Sequence, residues 1–236
     1  MRRRGFFLSV FIIVSALNNI DAQSTYNGIW LGAGVEKQLN RWEFKADAQI
    51  RKYNDGNPLK RSGIELTADY KVFNPLHAGV SYELINFYDE KYADYQIRHS
   101  IAPYLALKWK PERFGFTWRN AVQYIHKDES DRIRESGAID EYAVNPLWRF
   151  RSKLKATYNV DNFPLDPFAG AEVYYPLNNP DQKKIDQLKL FLGFDYKLSK
   201  KHTFNLEYIY RTGLNTESIE KFNVMSISYI YHFQTN

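Results

Sequence analysis

The 236-residue chain is 44% hydrophobic, 17% aromatic and 25% charged, enough apolar content for one domain with a sizeable core and too aromatic for a solvated tail. It has no cysteine, which excludes a disulfide framework, a Cys-ligated zinc site, a Cys nucleophile and a lipidated N-terminal cysteine. Its formal charge of +5 is a weak excess without the clustered basic face that a nucleic-acid partner needs.

Residues 1–22 read as a cleaved secretory signal. Arg2, Arg3 and Arg4 make a basic start, and Phe6 to Leu17 an apolar run. That run is too short for a spanning helix, which needs about 20 residues. Asn18, Asn19 and Asp21 form a polar exit, and Ala22 is a small residue at the expected cleavage point, so the mature chain starts near Gln23. Losing three Arg and one Asp lowers the formal charge from +5 to +3. No later apolar run is long enough for a transmembrane helix, and residues 23–236 are expected to form one domain.

From there the chain alternates with period two. In 29–38, Ile29, Leu31, Ala33 and Val35 oppose Gly32, Gly34, Glu36 and Gln38. In 41–52, Trp42, Phe44, Ala46, Ala48 and Ile50 oppose Glu43, Lys45, Asp47, Gln49 and Arg51. In 63–72, Ile64, Leu66, Ala68, Tyr70 and Val72 oppose Glu65, Thr67, Asp69 and Lys71. The same holds in 96–109, with Arg98 and Lys108 on the polar face. In 147–158 the polar face holds Arg149, Arg151, Lys153 and Lys155, and in 186–198 it holds Gln187, Lys189 and Asp195. Weaker alternation lies at 77–88, 114–126, 166–176, 202–211 and 222–233. Successive side chains of a strand point to opposite faces, so each segment is a ribbon with one apolar and one polar face.

Length separates the architectures. Strands of soluble proteins run about 5–6 residues, whereas a tilted strand needs about 9–11 to cross the hydrocarbon. These segments are of the second kind, and their polar faces are densely ionic. The expected fold is all-β, an antiparallel transmembrane β-barrel with lipid outside and charge inside. A negative mean hydropathy fits, because only every second residue faces lipid.

Short connections are expected near Asn40 and at 73–76, 111–113, 161–164 and 199–201. Longer ones are expected at 54–60, 89–94, 127–146, 177–184 and 212–221, the outer-membrane pattern of short periplasmic turns and longer outer loops. The longest loop, 127–146, carries mixed charge and reads as a solvated segment. Eleven segments are counted, but bacterial barrels use even numbers, so twelve strands are expected, with ten as the alternative. Met225, Ile227, Tyr229, Tyr231 and Phe233 resemble the aromatic C-terminal signature of outer-membrane barrels, with Gln234, Thr235 and Asn236 added after it.

WEFKADAQIRKY (42–53), QIRHSIAPYLALKWK (96–110), LWRFRSKLKATYNV (147–160) and LKLFLGFDYKLSKKHTFNLEYIYR (188–211) resemble the domain-of-unknown-function 2490 family of outer-membrane barrels. The resemblance covers nearly all of the mature chain. It implies a barrel in the outer membrane of a Gram-negative bacterium and brings no catalytic residues to carry over; no cofactor is expected. The expected partners are outer-membrane lipid and, during biogenesis, the barrel-assembly machinery.

The alternation also names the interior. Its acids are Glu43, Asp47, Glu65, Asp69, Glu83, Glu172, Asp195 and Glu207; its bases include Lys45, Arg51, Lys71, Arg98, Lys108, Arg119 and Lys189 besides the 149–155 ladder. The lumen charge network is expected to centre on Glu43, Asp47, Glu65, Asp69, Arg98, Arg119, Arg149, Arg151, Lys153, Lys155 and Asp195. Unpaired charge in a narrow space is costly, so the leading reading is a structural or surface-interaction barrel with a salt-bridged lumen. The alternative is a narrow pore or binding barrel for small anionic solutes, which the basic ladder favours unless acids on neighbouring strands neutralise it. A lipid hydrolase or acyltransferase is the third reading. It needs Ser and His within hydrogen-bond reach, and the one adjacent pair, His99–Ser100, points to opposite faces. His77, His126, His202 and His232 fall near strand ends. No metal-binding motif is present, and Asp128, Glu129 and Asp131 read as a solvated charge run.

Overall fold

The computed structural model describes residues 25–56, 58–179, 184–214 and 220–233. The expected signal segment and the residues after Phe233 lie outside them. Eleven strands are found among the described residues: β1 (Thr25–Leu39), β2 (Trp42–Tyr53), β3 (Arg61–Lys71), β4 (Leu76–Asp89), β5 (Asp94–Trp109), β6 (Phe114–Lys127), β7 (Leu147–Tyr158), β8 (Leu165–Pro176), β9 (Gln187–Lys197), β10 (His202–Gly213) and β11 (Lys221–Phe233). Each corresponds to one alternating segment of the sequence.

The strands form one closed barrel in which every strand pairs with its sequence neighbours and β1 pairs with β11. The expected count of twelve is corrected to eleven. An even count follows when first and last strands must run in opposite directions to pair. Here β1 and β11 run the same way and pair in parallel, from Thr25↔Lys221 to Lys37↔Phe233, so an odd number closes.

Connections at one end are short: 40–41, 72–75, 110–113, 159–164 and 198–201. Asn40, Glu112 and Asn162 take positive φ there (53°, 48° and 56°), the left-handed conformation such reversals use. The other end carries 54–60, 90–93, 128–146, 177–186 and 214–220.

Leu, Ile and Val side chains cover the outer wall, among them Leu66 and Leu192, about half exposed (51% and 49%). Aromatic pairs ring it near both ends. Trp42–Tyr70, Trp109–Phe116 and Tyr231–Phe233 sit toward the short turns, Tyr88–Tyr95 and Tyr124–Trp148 toward the long loops.

The interior is not purely ionic, which amends the expectation. Trp30, Tyr53, Phe168, Phe191, Ile209 and Val224 pack together on inward positions. A narrow barrel must be filled, and here rings lie flat against glycines in the wall. A Cβ at Gly28 would stand 2.5 Å from Tyr53 Cδ1, and one at Gly170 would stand 2.3 Å from Phe191 Cζ.

The 128–146 loop also departs from expectation. An Ile133↔Ile139 bridge folds it on itself, and Arg132 and Asp140 are both buried (7% exposed). Arg132 pairs with Asp89 at the end of β4 and, at 3.1 Å, with Asp140. The loop is therefore latched across one side of the barrel mouth. Its charges find partners there that no local pattern reveals.

Candidate functional site

Just inside the long-loop end, inward positions on seven strands carry a collar of bases. Arg51, Arg61, Lys127, Arg149, Lys189 and Arg211 each lie within three residues of a strand terminus, with Arg98 slightly deeper. Arg61 is bonded to the Glu83 carboxylate. The other six have no carboxylate within ion-pairing distance among the described residues.

Aromatic faces and neutral acceptors hold them instead. The Arg51 guanidinium lies 3.9 Å from the Trp30 centroid, Arg98 3.6 Å from Phe87, Arg211 4.0 Å from Phe222 and the Lys127 ammonium 4.1 Å from Tyr142. Lys189 lies near both Phe191 and Trp30 (5.3 and 5.7 Å). Arg149 faces the Tyr174 ring at 5.3 Å and donates to Gln123 Oε1 at 3.3 Å. A ring face attracts a cation by about 0.5–2 kcal/mol without cancelling its charge. The collar is thus oriented but not neutralised. Among the described residues, the buried Nε atoms of Arg98 and Arg149 have no hydrogen-bond partner.

Two cavities flank the collar. The outer one, about 800 Å³, opens among the long loops and is lined by Arg51, Arg61, Arg98 and Arg211, with Asp55, Asp89, Glu90, Asp186 and Glu220 around it. Burial holds the Asp186 carboxyl above the usual carboxylate range, with Arg149 acting against that shift. The inner cavity, about 260 Å³, shares Arg51, Gln187 and Arg211 and adds Arg119, Arg151, Lys153 and Lys189 against Glu65, Glu172 and Glu207. Bases therefore outnumber acids two to one around it.

The model of a family described as protein of unknown function (DUF2490) matches residues 27–223. The chain belongs to the DUF2490 family. No curated protein matches it in sequence. Among solved structures, the NanC porin in a rhombohedral crystal form superposes with a TM-score of 0.50 at 13% identity, covering 83% of this chain and 89% of that one. At that identity the likeness concerns the fold, a porin-like β-barrel.

In this DUF2490 barrel all eleven residues of the expected network face the lumen, in three groups. Toward the short turns, charges are paired. Asp69 accepts from Lys108 (3.0 Å) and Tyr104 (2.8 Å) and meets His77 Nδ1 at 2.6 Å. Glu43 and Glu36 flank Lys45 at 2.9 and 3.0 Å. At mid-height Arg151 donates from Nε and Nη2 to Glu172 Oε1 (3.0 and 2.7 Å). Lys155 lies 3.8 Å from Asp195. The 149–155 ladder is thus half neutralised among the described residues: Arg151 and Lys155 meet acids, whereas Arg149 and Lys153 pair with none there. Arg119 rests on the Tyr104 ring at 3.8 Å and reaches Ser81, and Arg98 belongs to the collar. Asp47 and Glu65 complete the mid-height group on β2 and β3.

Sequence reasoning missed Arg61, Lys127 and Arg211 as lumen bases, because they flank the alternating cores of their strands. Each keeps the parity of its strand's polar face, which was the available signal. The adjacent His99–Ser100 pair is not brought together. His99 points outward and bonds Tyr82 (2.8 Å), while Ser100 points inward and accepts from Gln123 (2.7 Å). Among the described residues no histidine ring bonds a serine hydroxyl. Asp128 and Glu129 accept from the backbone N–H groups of Ser130 and Tyr142.

Proposed function

We propose that this protein is an outer-membrane β-barrel whose lumen binds and passes small anionic solutes. The carrying observation is the collar: bases held on aromatic rings rather than on carboxylates keep their charge available to a solute. The membrane part of the reading is supported by strands of 11–16 residues, an apolar outer wall and aromatic belts near both of its ends, the arrangement of a lipid-facing barrel. The porin named above, alike in fold, supports the same class.

A structural barrel with a plugged lumen is the second reading, favoured by the paired charges near the short turns. Conductance of the refolded protein in planar bilayers separates the two. The proposal expects discrete steps with an anion-preferring reversal potential, and loss of that preference in Arg149→Gln/Arg211→Gln. A folded but silent barrel, or an anion preference that the double variant leaves intact, removes it.

A further inference from the structure

We infer that the inner cavity is a subsite for small zwitterions, solutes carrying a carboxylate and an ammonium group at opposite ends. This rests on the lumen being a passage for solutes that carry an anionic group, and adds that the inner cavity favours those with an ammonium group at the other end.

The argument starts from strand register. Asp47, Glu65 and Glu83 are direct cross-strand neighbours on β2, β3 and β4, and all face inward. Like charges directly opposite each other destabilise a sheet. Glu83 is relieved by Arg61, but Asp47 and Glu65 have no ion-pair or hydrogen-bond partner among the described residues. On the other arc, Arg119, Lys153, Glu172, Lys189 and Arg211 follow one another in register from β6 to β10. The one acid in that row is taken up by Arg151 and by the Tyr174 hydroxyl at 2.9 Å.

The order of strands around the ring sets β3 across from β8 and β9. Glu65 therefore faces the basic row, and both line the same cavity of about 260 Å³. Interleaved signs would stabilise the barrel better. Arg51 of β2 and Glu207 of β10 also line the cavity, but the two registered rows are of opposite sign across it, which leaves a transverse field in the lumen. A plain anion gains from Lys153 and Lys189 but is repelled by Glu65. A plain cation meets the reverse. A zwitterion satisfies both rows, and the cavity lies below the 300–1,000 Å³ typical of drug-sized pockets, so the solute is small.

The test is calorimetric binding of 4-aminobutyrate, butyrate and butylammonium to the refolded full-length barrel in detergent. Charge-assisted hydrogen bonds at the second end are expected to make 4-aminobutyrate bind about tenfold tighter than butyrate. In Glu65→Gln the two should converge, 4-aminobutyrate weakening while butyrate tightens. Lys153→Gln should instead move the preference toward butylammonium, and it serves if Glu65→Gln does not fold. Butyrate binding as tightly as 4-aminobutyrate, or no 4-aminobutyrate binding at about millimolar concentration, overturns the inference. The bilayer reversal potential in potassium chloride judges the anion passage separately. An anion-preferring barrel that ignores the ammonium group keeps the passage and loses the zwitterion subsite.

Discussion

The Arg51 guanidinium sits 3.9 Å from the centroid of the Trp30 ring, while its Nε donates to Gln49 Oε1 at 2.7 Å. Neither partner carries a negative charge, so Arg51 is fixed in place yet remains a full cation facing both cavities. Structural and electrostatic roles are divided between the two residues, and they should separate on mutation. Arg51→Gln is expected to weaken anion preference while shifting stability by about 1 kcal/mol or less. Trp30→Ala, which empties a buried site, is expected to cost about 3–5 kcal/mol. Reversal potentials and urea unfolding in lipid vesicles read the two effects. A large stability loss in Arg51→Gln with selectivity intact would contradict this division.

Gly170 on β8 underlies the Phe191 ring. A Cβ there would stand 2.3 Å from both Leu154 O and Phe191 Cζ. The ring can tilt, but the backbone oxygen belongs to the sheet and cannot. Gly170→Ala should therefore lower stability by about 1–3 kcal/mol through overpacking. An unchanged urea midpoint would mean that the wall at β7–β8 yields more easily than its register implies.

Leu192 lies on the outer face of β9, about half exposed (49%). In a lipid-facing wall, Leu192→Arg should destabilise the barrel by about 2–4 kcal/mol. On a water-facing wall the same change should stay within about 0.5 kcal/mol. Unfolding of the variant in vesicles thus tests the membrane reading independently of any solute.

The loop latch carries its own pH signature. Hydrogen bonds from Lys91 (2.6 Å), Tyr92 (2.7 Å) and Arg134 hold the Asp140 carboxyl well below the usual carboxylate range. A group whose pKa is depressed on folding contributes fully above its unfolded value, about 3.9, and loses that contribution as pH falls through the folded value. Resistance of the 128–146 loop to protease should be constant from neutral pH down to about 5 and decline only below about 4. Arg132→Gln should make the loop cleavable at neutral pH, because Asp89 and Asp140 lose a buried partner. Equal cleavage of variant and parent would show that the latch does not hold the loop.

The eleven alternating segments and their apolar and polar faces are legible along the chain, as are four of the five longer connections; 90–93 is shorter than the 159–164 turn at the opposite end. An even count of twelve presumes that the closing strands run antiparallel, whereas only eleven segments alternate and β1 and β11 close in parallel. The parallel β1–β11 seam is a contact between chain ends about 200 residues apart, and nothing local announces it. Arg132 and Asp140 look like loop charges until Asp89, Lys91 and Tyr92 are brought to them. Among the lumen bases, Arg149 and Arg151 are indistinguishable in sequence, yet Arg151 meets Glu172 whereas Arg149, among the described residues, meets Gln123 and the Tyr174 ring.

Alternation is a period-two property of neighbouring residues, so the order of residues along the chain is enough to say which side chains share a face and that one face is apolar. Neutralisation depends on which residues of adjacent strands stand opposite each other, and on which arcs of the ring face across the lumen. Only the closed tertiary structure sets that register. It sets Glu65 of β3 at the same cavity as Lys153 and Lys189 of β7 and β9, because charges interact through space at distances the chain's own order does not encode.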